Sequence, residues 1–160
     1  KNILLAFTTT LILLISACNR EHYLFTKHVP LQDETWTVDN QIPFSFAITD
    51  TQTICTIGLN IRYTHTYPMQ NMYVFLHTIF PNGMRTHDTI SVELFSPEGD
   101  PLGKGRRVRE IQKDFGRVQF PLSGEYTMTV EQAMRTDTLQ GVVSVGLYIV
   151  KPLNISNNEQ

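Results

Sequence analysis

From Gln41 onward the hydrophobic and polar positions alternate with a period of two. Phe44, Phe46 and Ile48 share one face of a first run. Cys55, Ile57, Leu59, Ile61 and Tyr63 then face away from Thr56, Gly58, Asn60 and Arg62. Such alternation predicts strands with one wet face. Met72 to Leu76 is apolar on both faces, as in a covered central strand. Ile90, Val92 and Leu94 alternate next, then Tyr126, Met128 and Val130, then Val143, Val145, Leu147 and Ile149. Turn residues separate these runs: Asp50-Thr51-Gln52, Tyr67-Pro68, Pro81-Asn82-Gly83, Pro97-Glu98-Gly99-Asp100-Pro101 and Gly124-Glu125. Asn82-Gly83 predicts a two-residue type I′ hairpin, which sets His77 opposite Asp88. The segments 103–116 and 131–135 are the only candidates for short helical pieces. Regular short strands with Gly/Pro turns predict an all-β fold, a single antiparallel β-sandwich of jelly-roll type with about eight strands. Periodicity alone leaves a barrel open as well.

The N-terminus follows a different pattern. Lys1 precedes an apolar run from Ile3 to Ile15, interrupted only by threonines, and Ile15-Ser16-Ala17-Cys18 closes it. A basic start, a short apolar core and small residues before a cleavage point make a secretory signal peptide. The run is shorter than the ~20 residues a helix needs to span a bilayer. Ile15-Ser16-Ala17-Cys18 also resembles a bacterial lipobox, which implies cleavage before Cys18 and acylation of that residue, palmitate included. Several acyl chains on one residue anchor durably where one is marginal. The expected organisation is a lipoprotein signal peptide over 1–17, lipidated Cys18 and a tether over 18–35, the β-sandwich over 36–151, and a disordered tail over 152–160.

Composition narrows the chemistry. The net charge of −2 provides no bulk attraction for nucleic acid, which is not an expected partner. Of the two cysteines, Cys18 is committed to lipid, so Cys55 has no disulfide partner and is expected as a buried, inert thiol. No Gly-rich phosphate loop, Cys-x-x-Cys pair, helical His-x-x-x-His or Gly-x-Ser-x-Gly elbow occurs. The expectation is a non-enzyme with no cofactor and no metal.

Four groups of side chains compete for a role. His65, His77 and His87 suggest metal, but no third ligand is at a matching spacing, and a His77–Asp88 ion pair is the expected use. Asp50, Asp88, Glu93, Glu98 and Glu125 offer carboxylates, though nothing selects the facing pair that glycoside hydrolysis needs. Trp36 and Tyr67 lie outside the regular alternation and are the candidate sugar-stacking rings, ahead of Tyr63 and Tyr73. Lys104, Arg106, Arg107 and Arg109 head a basic cluster that runs on to Lys113 and Arg117. It is a candidate contact for an acidic partner, or for lipid head groups beneath an anchored domain.

A family resemblance covers nearly all of the expected mature chain, in order. Its pieces include Trp36, Phe44-Ser45-Phe46, Ile61 to Pro68, Asn71 to Phe75 and Pro81-Asn82-Gly83. They continue with Asp88 to Leu94, Gly99 to Gly105, Gly124-Glu125-Tyr126, Gln132 to Arg135 and Val145-Gly146-Leu147. These stretches, with the lipobox, resemble the GldH family of gliding-motility lipoproteins of Bacteroidetes. Asp100-Pro101 departs from the bulky residue the family pattern places before Leu102-Gly103. The resemblance implies a lipid-anchored protein of the cell envelope, at the outer membrane. It implies binding or scaffolding with envelope proteins of a motility apparatus linked to type IX secretion, and carries over no catalytic residue. The alternative expectation is a carbohydrate-binding β-sandwich lipoprotein.

Overall fold

The computed structural model describes residues 22–152. The leader, Cys18 and the tail beyond Pro152 lie outside the described residues. The chain forms β1 (His22–Pro30), a 3-10 turn (Gln32–Glu34), β2 (Thr35–Thr37), β3 (Ile42–Ile48), β4 (Ile54–Thr64) and β5 (Asn71–Ile79). It continues with β6 (Arg85–Glu93), β7 (Lys104–Gly105), β8 (Val108–Gln119), β9 (Gly124–Gln132), β10 (Thr138–Gln140) and β11 (Val142–Lys151).

Two antiparallel sheets, ordered β1-β11-β4-β8-β7 and β3-β9-β5-β6, make the sandwich, and β2 and β10 form a separate ribbon. The eight long strands pair as a rolled hairpin: β1 with β11, β3 with β9, β4 with β8 and β5 with β6. That is jelly-roll pairing, and the sheets are open rather than closed into a barrel. The alternating apolar faces meet between the sheets. Phe44, Leu59, Ile61, Met72, Val74, Val130, Val145 and Ile149 are all fully buried there. Phe46 stacks on Tyr126 with ring centroids 5.8 Å apart, and Phe120 packs edge-on to both.

Four expectations are corrected. Residues 22–30 are not tether but a nine-residue edge strand paired along β11. Phe25 of that strand reaches the core against Phe44 and Phe46. The segment 103–116 holds no helix; it belongs to β7 and the twelve-residue β8. Residues 131–135 hold no helical turn either, since β9 runs through Gln132. The fourth concerns the hairpin after β5. In a two-residue Asn82-Gly83 loop Pro81 would have to donate an N–H to Met84, and proline has none. Phe80 donates to the Met84 carbonyl instead, and Gly83 N–H donates to the Phe80 carbonyl. Pro81 and Asn82 become the central turn residues and Gly83 takes the positive φ of 82°, a type I turn with a glycine bulge. The register therefore moves by one, and His77 faces His87 instead of Asp88.

The connections define two ends. The loops 49–53, 80–84 and 120–123 lie at one end, with the start of β1 and the end of β11. The longer connections 31–41, 65–70, 94–107 and 133–141 lie at the other.

Candidate functional site

The long-loop end is built on Tyr63. Its ring is fully buried, as the alternation in β4 requires. Its hydroxyl donates to the Leu94 carbonyl at 2.6 Å and accepts from Gly103 N–H at 3.0 Å. Phe95 packs edge-on to the same ring at 5.4 Å. Gly103 sits so close that an added Cβ would lie 2.9 Å from the Glu110 carbonyl. The core thereby clamps both limbs of the 94–103 loop, which projects Leu102, 48% exposed, and then Lys104. Leu102, Lys104, Gly105, Glu110, Ile111 and Gln112 line an open groove of about 700 Å³.

Of the basic cluster, Lys104 lines this groove. Arg107 pairs with Glu34 of the 3-10 turn at 2.6 Å, and Arg109 donates to the Gly103 carbonyl at 3.1 Å. Lys104 and Arg106 are exposed and form no salt bridge among the described residues. Two of the four cations thus brace the loop and two face solvent. Lys113 and Arg117 lie farther along β8, away from this end.

A polar network not read from the sequence adjoins the groove on the outer face of the five-stranded sheet. Glu110 accepts from Asn60 Nδ2 at 2.7 Å and from Arg62 Nε at 2.6 Å. The Asn60 bond and the Arg62 guanidinium hold its carboxyl below the ordinary range, against partial burial. Asn60 is only 2% exposed, and its Oδ1 and the Ser144 Oγ have no hydrogen-bond partner among the described residues. The His28 ring lies over Gly146, where a Cβ would come within 2.6 Å of Nδ1. Burial, then the Arg62 charge, pushes the His28 pKa down. Tyr148 lies across Gly58 and donates to Asp114 Oδ1 at 2.6 Å. Two glycines in adjacent strands give the rings their seats, a signal visible only once the register is known.

The opposite sheet carries the histidine pair. His77 and His87 bring their Nδ1 atoms within 3.2 Å, and His77 Nε2 lies 3.3 Å from Glu131 Oε2. Gln41 donates to the same carboxylate oxygen at 3.0 Å. His77 thus spends its two nitrogens on different partners, and no group of three metal-ligating side chains occurs among the described residues. His65 lies apart, in the 65–70 loop.

Trp36 and Tyr67 are corrected as sugar-stacking rings. Trp36 is fully buried under the β2–β10 ribbon and donates its indole N–H to the Asn40 carbonyl at 2.8 Å. Tyr67 is 3% exposed and donates to the Asn71 carbonyl at 2.8 Å. Each ring fills the core beneath a loop, where no sugar face reaches it. Cys55 is buried, and burial raises its thiol pKa. Asp50 is spent structurally, accepting from Thr53, Gln52 and Lys151. Cys18 lies outside the described residues.

The family model for the GldH lipoprotein matches residues 23–149, from the first strand into the last. The chain belongs to the GldH lipoprotein family. A gliding motility lipoprotein GldH homolog of Christiangramia forsetii is 27% identical, over 89% of this chain and 92% of that relative. The gliding motility lipoprotein GldH of Flavobacterium johnsoniae is 23% identical, over 71% and 76% respectively. Among solved structures, dimeric latent PorU from Porphyromonas gingivalis aligns with 84% of this chain, at 14% identity and a TM-score of 0.38. The chain spans 13% of PorU. Eiger TNF from S. frugiperda aligns over 88% of this chain and 99% of its own, at 9% identity and a TM-score of 0.35. The GldH match places this chain among membrane-anchored envelope lipoproteins.

Proposed function

We propose that this GldH-family protein is a non-catalytic, lipid-anchored docking component of a gliding-motility assembly at the outer membrane, linked to type IX secretion. Acylated Cys18 confines it to the membrane, which raises its effective concentration near partners. Lys104 and Arg106, beside the groove of Leu102 and Gln112, receive an acidic protein surface. The observation that carries this reading is the polarity of the domain. The basic loop stands at the end opposite to the start of β1, where the chain departs toward Cys18. Cations placed there point away from the anchoring bilayer, which favours a protein partner over head groups.

A photo-crosslinking residue at Leu102, exposed in the groove beside both cations, tests the proposal in intact cells. Capture of a motility or secretion component is expected, and Lys104→Glu with Arg106→Glu should abolish it. Both side chains are exposed, so the double variant should keep its stability within about 0.5 kcal/mol. Unchanged capture by the folded double variant refutes the basic docking surface.

A further inference from the structure

The short-loop end of the sandwich carries large apolar side chains that are exposed. Six large apolar residues are exposed among the described residues. Ile54, Ile79 and Met84 of these lie at or next to that end, on β4, β5 and the 80–84 loop, whereas Tyr23 of β1 packs edge-on to Tyr148. Ile54 stands at the start of β4, opposite Gln119 at the end of β8. Ile79 closes β5, and Met84 is 49% exposed in the hairpin. Pro81 in that hairpin packs on Gly124, so the loop is held against the sheet. The nearby charges nearly cancel: Arg85, Arg117 and Lys151 stand against Asp50 and Glu125, with Lys151 already paired to Asp50 at 3.1 Å.

The same end is where the chain leaves for Cys18. With β1 beginning at His22, only Asn19, Arg20 and Glu21 separate the anchor from the sheet. Four Cα steps span at most about 14 Å even when fully extended. Nine residues of β1 extend about 30 Å along the strand, about twice that leash. A domain on so short a leash has one end near the bilayer and the other well clear of it.

On the reading that Cys18 is acylated, we infer that the short-loop end is a bilayer-contacting tip. Met84, Ile54 and Ile79 enter the head-group region and fix the domain upright, with the basic loop outward. The occupant is the anchoring membrane itself. The near-zero charge of the tip suits a zwitterionic interface, and its apolar side chains supply the contact.

The test uses the full chain, purified from membranes and reconstituted in phosphatidylcholine–phosphatidylethanolamine vesicles containing nitroxide-labelled lipid. A fluorophore is placed at Met84→Cys or at Leu102→Cys, both exposed positions, and Cys55 is buried. Intact mass is measured first: an unmodified Cys18 overturns the anchor, independently of the tip. For the acylated protein, quenching at position 84 is expected to exceed that at position 102 several-fold. Ile54→Glu with Ile79→Glu should narrow that difference while the anchor mass is unchanged. Equal quenching at both positions overturns the tip. So does self-quenching at position 84 that rises with protein density, because the tip would then be covered by a second copy.

Discussion

Two single residues report on the polar network of the five-stranded sheet. Burial beside Arg62 holds the His28 pKa below its ordinary value of 6.5. The unfolded chain therefore binds the proton first as pH falls. The stability that neutral His28 contributes is present above the unfolded pKa and is lost as pH drops below about 6.5. The stability gap between the native chain and His28→Asn should narrow from pH 7.5 to pH 5.5 in denaturant titrations. A gap that does not change with pH would mean the ring is not held neutral. Glu110 has the same sign in a lower window: its depressed pKa stabilises above the ordinary carboxylate range and ceases to do so as pH falls through the folded value. Gly58 tests the packing of the same face. A methyl group there meets the Tyr148 ring, so Gly58→Ala must displace it and break the bond to Asp114. The expected cost is about 1–3 kcal/mol by chemical denaturation. Gly116→Ala, with open space at its Cβ, should be neutral or stabilising by up to about 1 kcal/mol.

At the scale of elements, the longest alternations in the sequence belong to two strands with a partner on each side. β4 lies between β11 and β8, and β11 between β1 and β4. Both keep a clean apolar face because an inward polar group there would be stranded without water. The strands hardest to read are β1, an edge, and β8, which beyond Glu110 has β4 alone as partner. β1 exposes most of its side chains, and a register shift between Tyr23 and Phe25 interrupts its alternation. β8 carries Lys113 opposite the buried Leu59, and a shift at Ile57/Gly58 leaves Phe115 as an extra residue. Charges and bulges on edge strands block further pairing, and they also erase the period-two signal. Amide exchange followed by mass spectrometry should rank accordingly, with β4 and β11 slowest and β1 and β7 faster. Protection in β1 outlasting that in β11 would contradict the edge assignment.

For the whole molecule, the arrangement of the two ends matters more than any single site. In the arrangement we propose, a short leash, an apolar tip and a basic far end align along one axis and orient the anchored domain without a spanning helix. No helix among the described residues is long and apolar enough to cross a membrane. The sequence by itself determined the all-β class, the inward faces of the central strands and the GldH family, because period-two burial and a long ordered series of short motifs are both linear properties. Only the tertiary structure decided the His77–His87 register, since Pro81 lacks a donor and moved the turn by one residue. It alone buried Trp36 and Tyr67 beneath loops contributed by distant segments. It alone made residues 22–30 a strand, because a polar edge strand becomes one only through the partner that satisfies its backbone.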